Sequence, residues 1–176
     1  ALYNSHVKAN HLDVGAGTGF FLDRCRFPSA SPRVALLDLN DNCLRRAATR
    51  IARYQPESIR ANVLETIPYS GQRFDSIAMN YVLHCLPGSI QAKAQAFDHL
   101  TQLLHPGGVI FGATLLSQGV PRSFAARCVM AAYNRQGIFN NRTDSLADLR
   151  DALSQRFDHF ALETVGCAAL FWGVTT

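Results

Sequence analysis

The sequence predicts an α/β domain, a Rossmann-like three-layer sandwich with five parallel strands followed by an antiparallel C-terminal hairpin. Three observations predict it. Short apolar runs alternate with amphipathic helical segments along most of the chain, a pattern that requires right-handed crossovers and a mostly parallel sheet. The run Arg33 to Leu39 is apolar almost throughout, as a strand buried on both faces must be. The last two runs, Phe160 to Val165 and Ala168 to Thr175, stand too close for a helix between them, and so short a connection demands an antiparallel hairpin.

Asn10 to Val14 is the first strand, short and running directly into glycines. Phe20 to Phe27 reads as a short helix stopped by Pro28. After the second strand, Asp41 to Tyr54 places Leu44, Ala47, Ala48, Ile51 and Ala52 at helical spacing, with Arg45, Arg46, Arg50 and Arg53 turned to water and Pro56 just beyond the end. Ile59 to Leu64 and Phe74 to Asn80 are the third and fourth strands. Ser89 caps a helix expected to reach Leu104, with Ile90, Ala94, Phe97, Leu100 and Leu103 on one face. His105-Pro-Gly-Gly108 ends it and opens the fifth strand, Val109 to Leu115. Arg122 to Asn134 and Asp144 to Phe157 are the last helices. The hairpin closes the fold with aromatic and β-branched residues.

At 176 residues the chain reads as one domain over 1–176, and 48% apolar against 17% charged residues marks it as folded rather than disordered. The formal charge of +4 comes from fifteen arginines and two lysines scattered along the chain. No basic run forms a nucleic-acid arm, so nucleic acid is not the expected partner. The five cysteines are odd in number, form no Cys-x-x-Cys pair and have no histidine at zinc spacing. Neither a metal site nor a disulfide framework is expected. With no membrane-length apolar stretch and no leader-like start, the expected location is the cytoplasm and no membrane partner is expected.

In doubly wound sheets a ligand binds beyond the carboxyl ends of the strands, where strand order reverses. Gly15, Gly17 and Gly19 are delivered to that edge by the first strand. Glycine allows a tight turn there and a close approach of backbone to ligand. The spacing is G-x-G-x-G, whereas dinucleotide sites use G-x-G-x-x-G with a pyrophosphate at the helix start. Asp13 precedes the loop; its carboxylate repels a pyrophosphate and suits a ligand with an ammonium group. No Walker A pattern is present. Asp38 closes the second strand, where a carboxylate can accept both hydroxyls of a ribose. Its alternative role is to cap the next helix, for which Asn40 and Asp41 are better placed.

Four blocks in order carry a family resemblance: LDVGAGTG (12–19), ALLDLN (35–40), RANVLETIP (60–68) and FDSIAMNYVLHCLP (74–87), with the HPGG turn at 105–108. The sequence resembles the class I S-adenosylmethionine (SAM)-dependent methyltransferases of the small-molecule branch. The resemblance implies SAM as cofactor and a small-molecule substrate. It places the backbone of Gly15, Ala16 and Gly17, with Gly19 completing the loop, against the methionine part of SAM, and Asp13 near its ammonium. It gives the ribose hydroxyls to Asp38, the adenine face to Leu39 and the adenine edge to Asn62 and Val63. Asn80 and Tyr81 fall beside the sulfonium.

The sulfonium activates the methyl group, so orienting the acceptor can supply as much as ~7–11 kcal/mol of the barrier reduction. A base is needed only where the acceptor must lose a proton. His84, in the loop after the fourth strand, is the candidate, with packing as its alternative role; Tyr81 is a candidate substrate contact on the same footing. The Asp/Asn-Pro-Pro-aromatic motif of enzymes that methylate amino groups of bases is absent at Asn80. An oxygen, nitrogen, carbon or sulfur acceptor on a small molecule is expected. Methylation of RNA or protein, and an inactive scaffold, are the competing readings. Few residues precede the first strand, so the helical lid common in the family is expected to be short or absent. Phe124, Met130, Tyr133, Phe139 and Asn140 are then candidates for substrate contacts.

Overall fold

The computed structural model describes residues 2–176. One mixed sheet of seven strands runs through it: β1 (Asn10–Val14), β2 (Arg33–Asp38), β3 (Glu57–Arg60), β4 (Phe74–Asn80), β5 (Leu104–Leu115), β6 (His159–Val165) and β7 (Ala168–Val174). The order across the sheet is β3-β2-β1-β4-β5-β7-β6. The first five strands pair in parallel, and β7 lies antiparallel between β5 and β6. The predicted parallel sheet and C-terminal hairpin are both present.

The helices are α1 (Leu2–His6), α2 (Phe20–Arg24), α3 (Asp41–Arg50), α4 (Ile90–Lys93), α5 (Gln95–Thr101), α6 (Phe124–Arg135) and α7 (Leu146–Ser154). Alternate residues of each central strand serve opposite layers. Leu37, Ile77, Met79 and Ile110 pack with Phe97 of α5 and with Leu149 and Leu153 of α7. Leu36, Ala78 and Phe111 face Tyr3 of α1, Leu22 of α2, and Leu44 and Ala47 of α3. Each such large side chain, once buried, contributes about 1.5–3 kcal/mol.

Several boundaries differ from expectation, each for a local reason. β3 ends at Arg60 because the Asn62 side chain accepts the Leu64 N–H at 3.1 Å and turns the chain. β5 begins at Leu104, ahead of the glycines, because Gly107 N–H donates to the Thr175 carbonyl (2.9 Å) and Thr175 N–H to that of Gly108 (3.0 Å). The helix expected from Ser89 to Leu104 is divided into α4 and α5, and the break falls beside Lys93, whose side chain is drawn inward. Ser89 caps it as expected, accepting from Ala92 N–H. The helix α1 was not foreseen. It packs on β5 with Tyr3 wedged against Phe111.

Candidate active site

The strand order reverses between β1 and β4, which both neighbour each other and lead to opposite sides of the sheet. A crevice at the carboxyl end of this junction follows from the topology. Gly15 continues the ladder by donating to Leu37 at 2.8 Å, then the chain turns through Gly15, Gly17 and Gly19 at φ of 64°, 55° and 71°. These are left-handed values, costly for residues with a Cβ. At Gly15 a Cβ would also lie 2.4 Å from Val82 Cγ2, whereas at Gly17 the space above the backbone is open. The loop therefore leans on the segment after β4 and leaves a bare backbone facing the crevice.

On the β2 side, Asp38, Leu39, Asn62, Val63, Gly15 and Val82 line a recess of about 130 Å³. Asn40 Oδ1 accepts from Asn42 N–H (2.9 Å) and caps α3. Asp38 is thereby freed from capping; it accepts the Asn40 N–H at 2.8 Å. Burial raises its pKa above the usual carboxylate value, as expected of an acid turned into a recess. Leu39 is 59% exposed, an apolar face open at the mouth. Asn62 Oδ1 accepts from Leu64 N–H and its Nδ2 donates to Glu65 at 2.8 Å. The amide is thus fixed in orientation.

On the β4 side, a larger cavity of about 440 Å³ opens between α1, α2, the ends of β4 and β5, and the C-terminal hairpin. Its walls include Tyr3, Phe21, Tyr81, Val165 and Leu170. Phe21 stacks on Tyr3 at 5.2 Å and on Tyr81 at 6.4 Å. Asn80 lines the same cavity, with its Nδ2 buried near the Tyr3 hydroxyl. Tyr81 has φ of 58°, the left-handed region in a non-glycine residue. Such a conformation costs roughly 1–3 kcal/mol and is held by its surroundings. Its N–H donates to Ala113 at 2.7 Å, which turns the ring out over the cavity. Asp13 lies beneath, buried, and accepts a hydrogen bond from the Tyr3 hydroxyl. Burial, followed by the Asp13 charge, raises the Tyr3 pKa well above its ordinary value, so this hydroxyl stays a donor.

The structure brings Tyr81 to the cavity but not His84. His84 is buried in a 3₁₀ turn after β4, and its Nδ1 accepts from Leu115 N–H at 3.4 Å on β5. Phe139 covers the ring edge-on at 4.6 Å, and the His84 carbonyl accepts from Asn140 N–H at 2.7 Å. Placed so, the imidazole fastens the loop after β4 to β5 through its Nδ1 and lies outside the cavity lining. Burial, then the Lys93 charge, lowers its pKa from 6.5 to about 4. The unfolded chain therefore binds the extra proton between those values, and stability contributed by neutral His84 is present above about pH 6.5 and lost as pH falls towards 4. Urea unfolding should show a loss of about 2 kcal/mol between neutral pH and about pH 5. His84→Gln should remove most of that dependence; an unchanged slope would place the titration elsewhere.

The residues expected from 116–143 do not line the cavity either. Phe124 is 75% exposed, Met130 is buried under α6, and Tyr133 packs on Phe139. Their place is taken by α1, α2 and the hairpin. Sequence reasoning missed Tyr3, Arg24 and the buried pair Lys93–Asp144. Only the last left a signal, a lysine on the apolar face between Ile90 and Ala94.

A recess with an acid at the second strand end and an apolar cavity at the end of β4 sit at the carboxyl edge of a doubly wound α/β domain. The chain belongs to the methyltransferase domain family, whose match spans residues 12–110. It is similar to demethylluteothin O-methyltransferase of Streptomyces thioluteus, 45% identical over 175 residues, which are 99% of this chain and 76% of that protein. It is also similar to N-methyltransferase vrtF of Penicillium aethiopicum, 37% identical over 171 residues, 96% of this chain and 71% of that one. Among solved structures, the N-methyltransferase NodS of Bradyrhizobium japonicum WM9 in complex with S-adenosyl-L-homocysteine (SAH) superposes with a TM-score of 0.65 at 16% identity, covering 94% of this chain and 77% of that one.

Proposed function

We propose that this methyltransferase domain, over residues 1–176, binds SAM and methylates a small molecule at an oxygen, nitrogen, carbon or sulfur atom. The observation that carries the reading is the pairing of two compartments that adjoin along the segment 80–82, one holding the Asp38 carboxylate and one apolar and roomy. Residues of this chain fit SAM. Asp38 lines the recess with one carboxylate oxygen accepting from Asn40 N–H, and Gly15 passes bare backbone at its edge where a Cβ would strike Val82. When bound, SAM supplies a methyl group on a sulfonium, whose carbon–sulfur bond breaks with both electrons going to sulfur.

Leu39 offers an apolar face to the adenine, with Asn62 and Val63 at its edge. Asp13, kept from water, supplies the negative charge opposite the ammonium. Gly15, Ala16 and Gly17 pass backbone along the amino-acid part, and Gly19, where a Cβ would lie 3.1 Å from the Ala47 Cα, seats α2 on α3. Asn80 and Tyr81 stand where the acceptor enters.

The relatives named as O- and N-methyltransferases support a small-molecule acceptor. An RNA or protein substrate finds little support, because Arg33, Arg53, Arg60 and Arg156 are engaged in ion pairs on separate elements. A cytoplasmic location is part of the same proposal; the five cysteines are unpaired, and no helix among the described residues is long and apolar enough to cross a membrane. Calorimetry with SAH is the test. Saturable binding to one site is expected, and heat-free titration of well-folded protein would overturn the reading.

A further inference from the structure

We infer that Tyr3 is a positioning residue for the methyl donor: its hydroxyl holds the Asp13 carboxylate in the orientation that meets the ammonium of the donor's amino-acid part. The inference rests on the proposed function above, in which Asp13 faces that ammonium, and it gives α1 a part in the same site.

The Tyr3 ring is fixed from three sides. It stacks on Phe21 at 5.2 Å, meets Phe111 edge-on at 5.3 Å and lies edge-on to His11 at 6.1 Å. The helix is tied down next door, where Asn4 Oδ1 accepts the Arg26 N–H at 2.9 Å. A ring so held loses little further freedom in aiming its hydroxyl. That hydroxyl sits where strand order reverses, between Asp13 of β1 and Asn80 of β4. It donates to Asp13 Oδ2, with the Asn80 amide as a donor on its other side. Packing against Phe21 and Phe111 needs only the ring. The hydroxyl answers the carboxylate, because a buried acid is costly unless donors meet it, and Asp13 is only 2% exposed.

The neighbours of Asp13 show which way the carboxylate is turned. Ser76 Oγ accepts the Lys8 N–H at 2.9 Å and gives its own hydrogen to His11 Nδ1 at 2.8 Å. This assignment leaves the imidazole hydrogen on Nε2, a buried atom with no partner among the described residues. His11 Nε2 lies 3.8 Å from Asp13 Oδ2, too far for a hydrogen bond. Tyr3 and His11 thus both approach Oδ2, and Tyr3 holds it. Oδ1 is then the oxygen that the ammonium would meet, since a carboxylate accepts on both oxygens. Without the Tyr3 hydroxyl, the carboxylate is drawn the short distance to His11 and turns Oδ1 from that direction. The charge stays and its aim is lost.

The test compares SAH with 5′-methylthioadenosine, which keeps the nucleoside and lacks the amino-acid part. In Tyr3→Phe, which keeps the ring, SAH should bind about tenfold more weakly and methylthioadenosine as before. In an Asp13→Asn background the same change should alter SAH affinity less than about twofold, because its route of action is gone. Unchanged SAH affinity in Tyr3→Phe, or equal weakening of both ligands as general distortion would give, overturns the inference. A second measurement needs no variant. Coupling is reciprocal, so the ammonium should in turn stabilise docked α1. Exchange of the Val7 amide hydrogen, which bonds the Tyr3 carbonyl at 2.8 Å, should slow about tenfold on saturation with SAH and not with methylthioadenosine. A rate that SAH leaves unchanged overturns the inference equally. Failure of SAH to bind the parent protein would instead strike the function itself, so the two failures are distinguishable.

Discussion

Asp38→Ala is expected to weaken SAH binding about 100-fold while leaving the unliganded fold almost unchanged. Two hydroxyls donating to one carboxylate make charge-assisted bonds, each contributing roughly 1.5–3 kcal/mol. Loss of about 3 kcal/mol corresponds to the 100-fold figure. The fold depends little on this side chain, because its recorded partner is the N–H of Asn40, an exposed residue that water can serve instead. Surface changes of that kind stay within about 0.5 kcal/mol. Calorimetry gives the affinity, and thermal unfolding gives the control. SAH should raise the melting temperature of the parent protein by mass action and raise that of the variant far less at equal concentration. Asp38→Asn, which keeps an acceptor without the charge, should fall between the two. Unchanged SAH affinity in Asp38→Ala would sink the ribose assignment.

The edge of the sheet that carries the glycine loop and Asp38 was legible in sequence. Gly15, Gly17 and Asp38 stand at strand ends that the apolar pattern locates, and the chemistry of glycine and carboxylate follows from position alone. The larger cavity was not legible, because topology rather than sequence brings its walls together. Tyr3, Phe21, Tyr81 and Leu170 meet only once β7 inserts between β5 and β6 and α1 lies across Phe111. His84 shows the same limit. Its place after the fourth strand suggested a base, but the direction of its ring depends on Leu115 and Phe139, which no local pattern reveals. In the sheet, existence and direction of strands were readable from period and connection length. Ends were not, since side-chain turns such as that of Asn62 and pairing with a distant strand end such as Thr175 set them.

Lys93→Met is expected to destabilise the protein by about 3–5 kcal/mol, the largest loss foreseen for a single change outside the site. The Lys93 and Asp144 side chains are both 0% exposed, and Nζ donates to Asp144 at 2.6 and 2.8 Å and to the Asn140 carbonyl at 2.6 Å. Removing the cation strands a carboxylate inside the fold, and desolvation of that charge dominates the lost contacts. In a chain of this size the melting temperature should fall by roughly 10–15 °C, at about 2–4 °C per kcal/mol. Lys93→Met combined with Asp144→Leu removes both charges and should recover most of the loss, because a buried pair replaced by apolar groups is often neutral. A double variant as unstable as the single one would refute an ionic origin. The pair also reaches towards the active site. It pins Asn140, whose N–H holds the His84 carbonyl, and His84 packs edge-on against Tyr81. Since Lys93 is one of the groups lowering the His84 pKa, the double variant should titrate His84 at a higher pH, which NMR of the imidazole can follow. An unmoved midpoint would show that burial alone sets it.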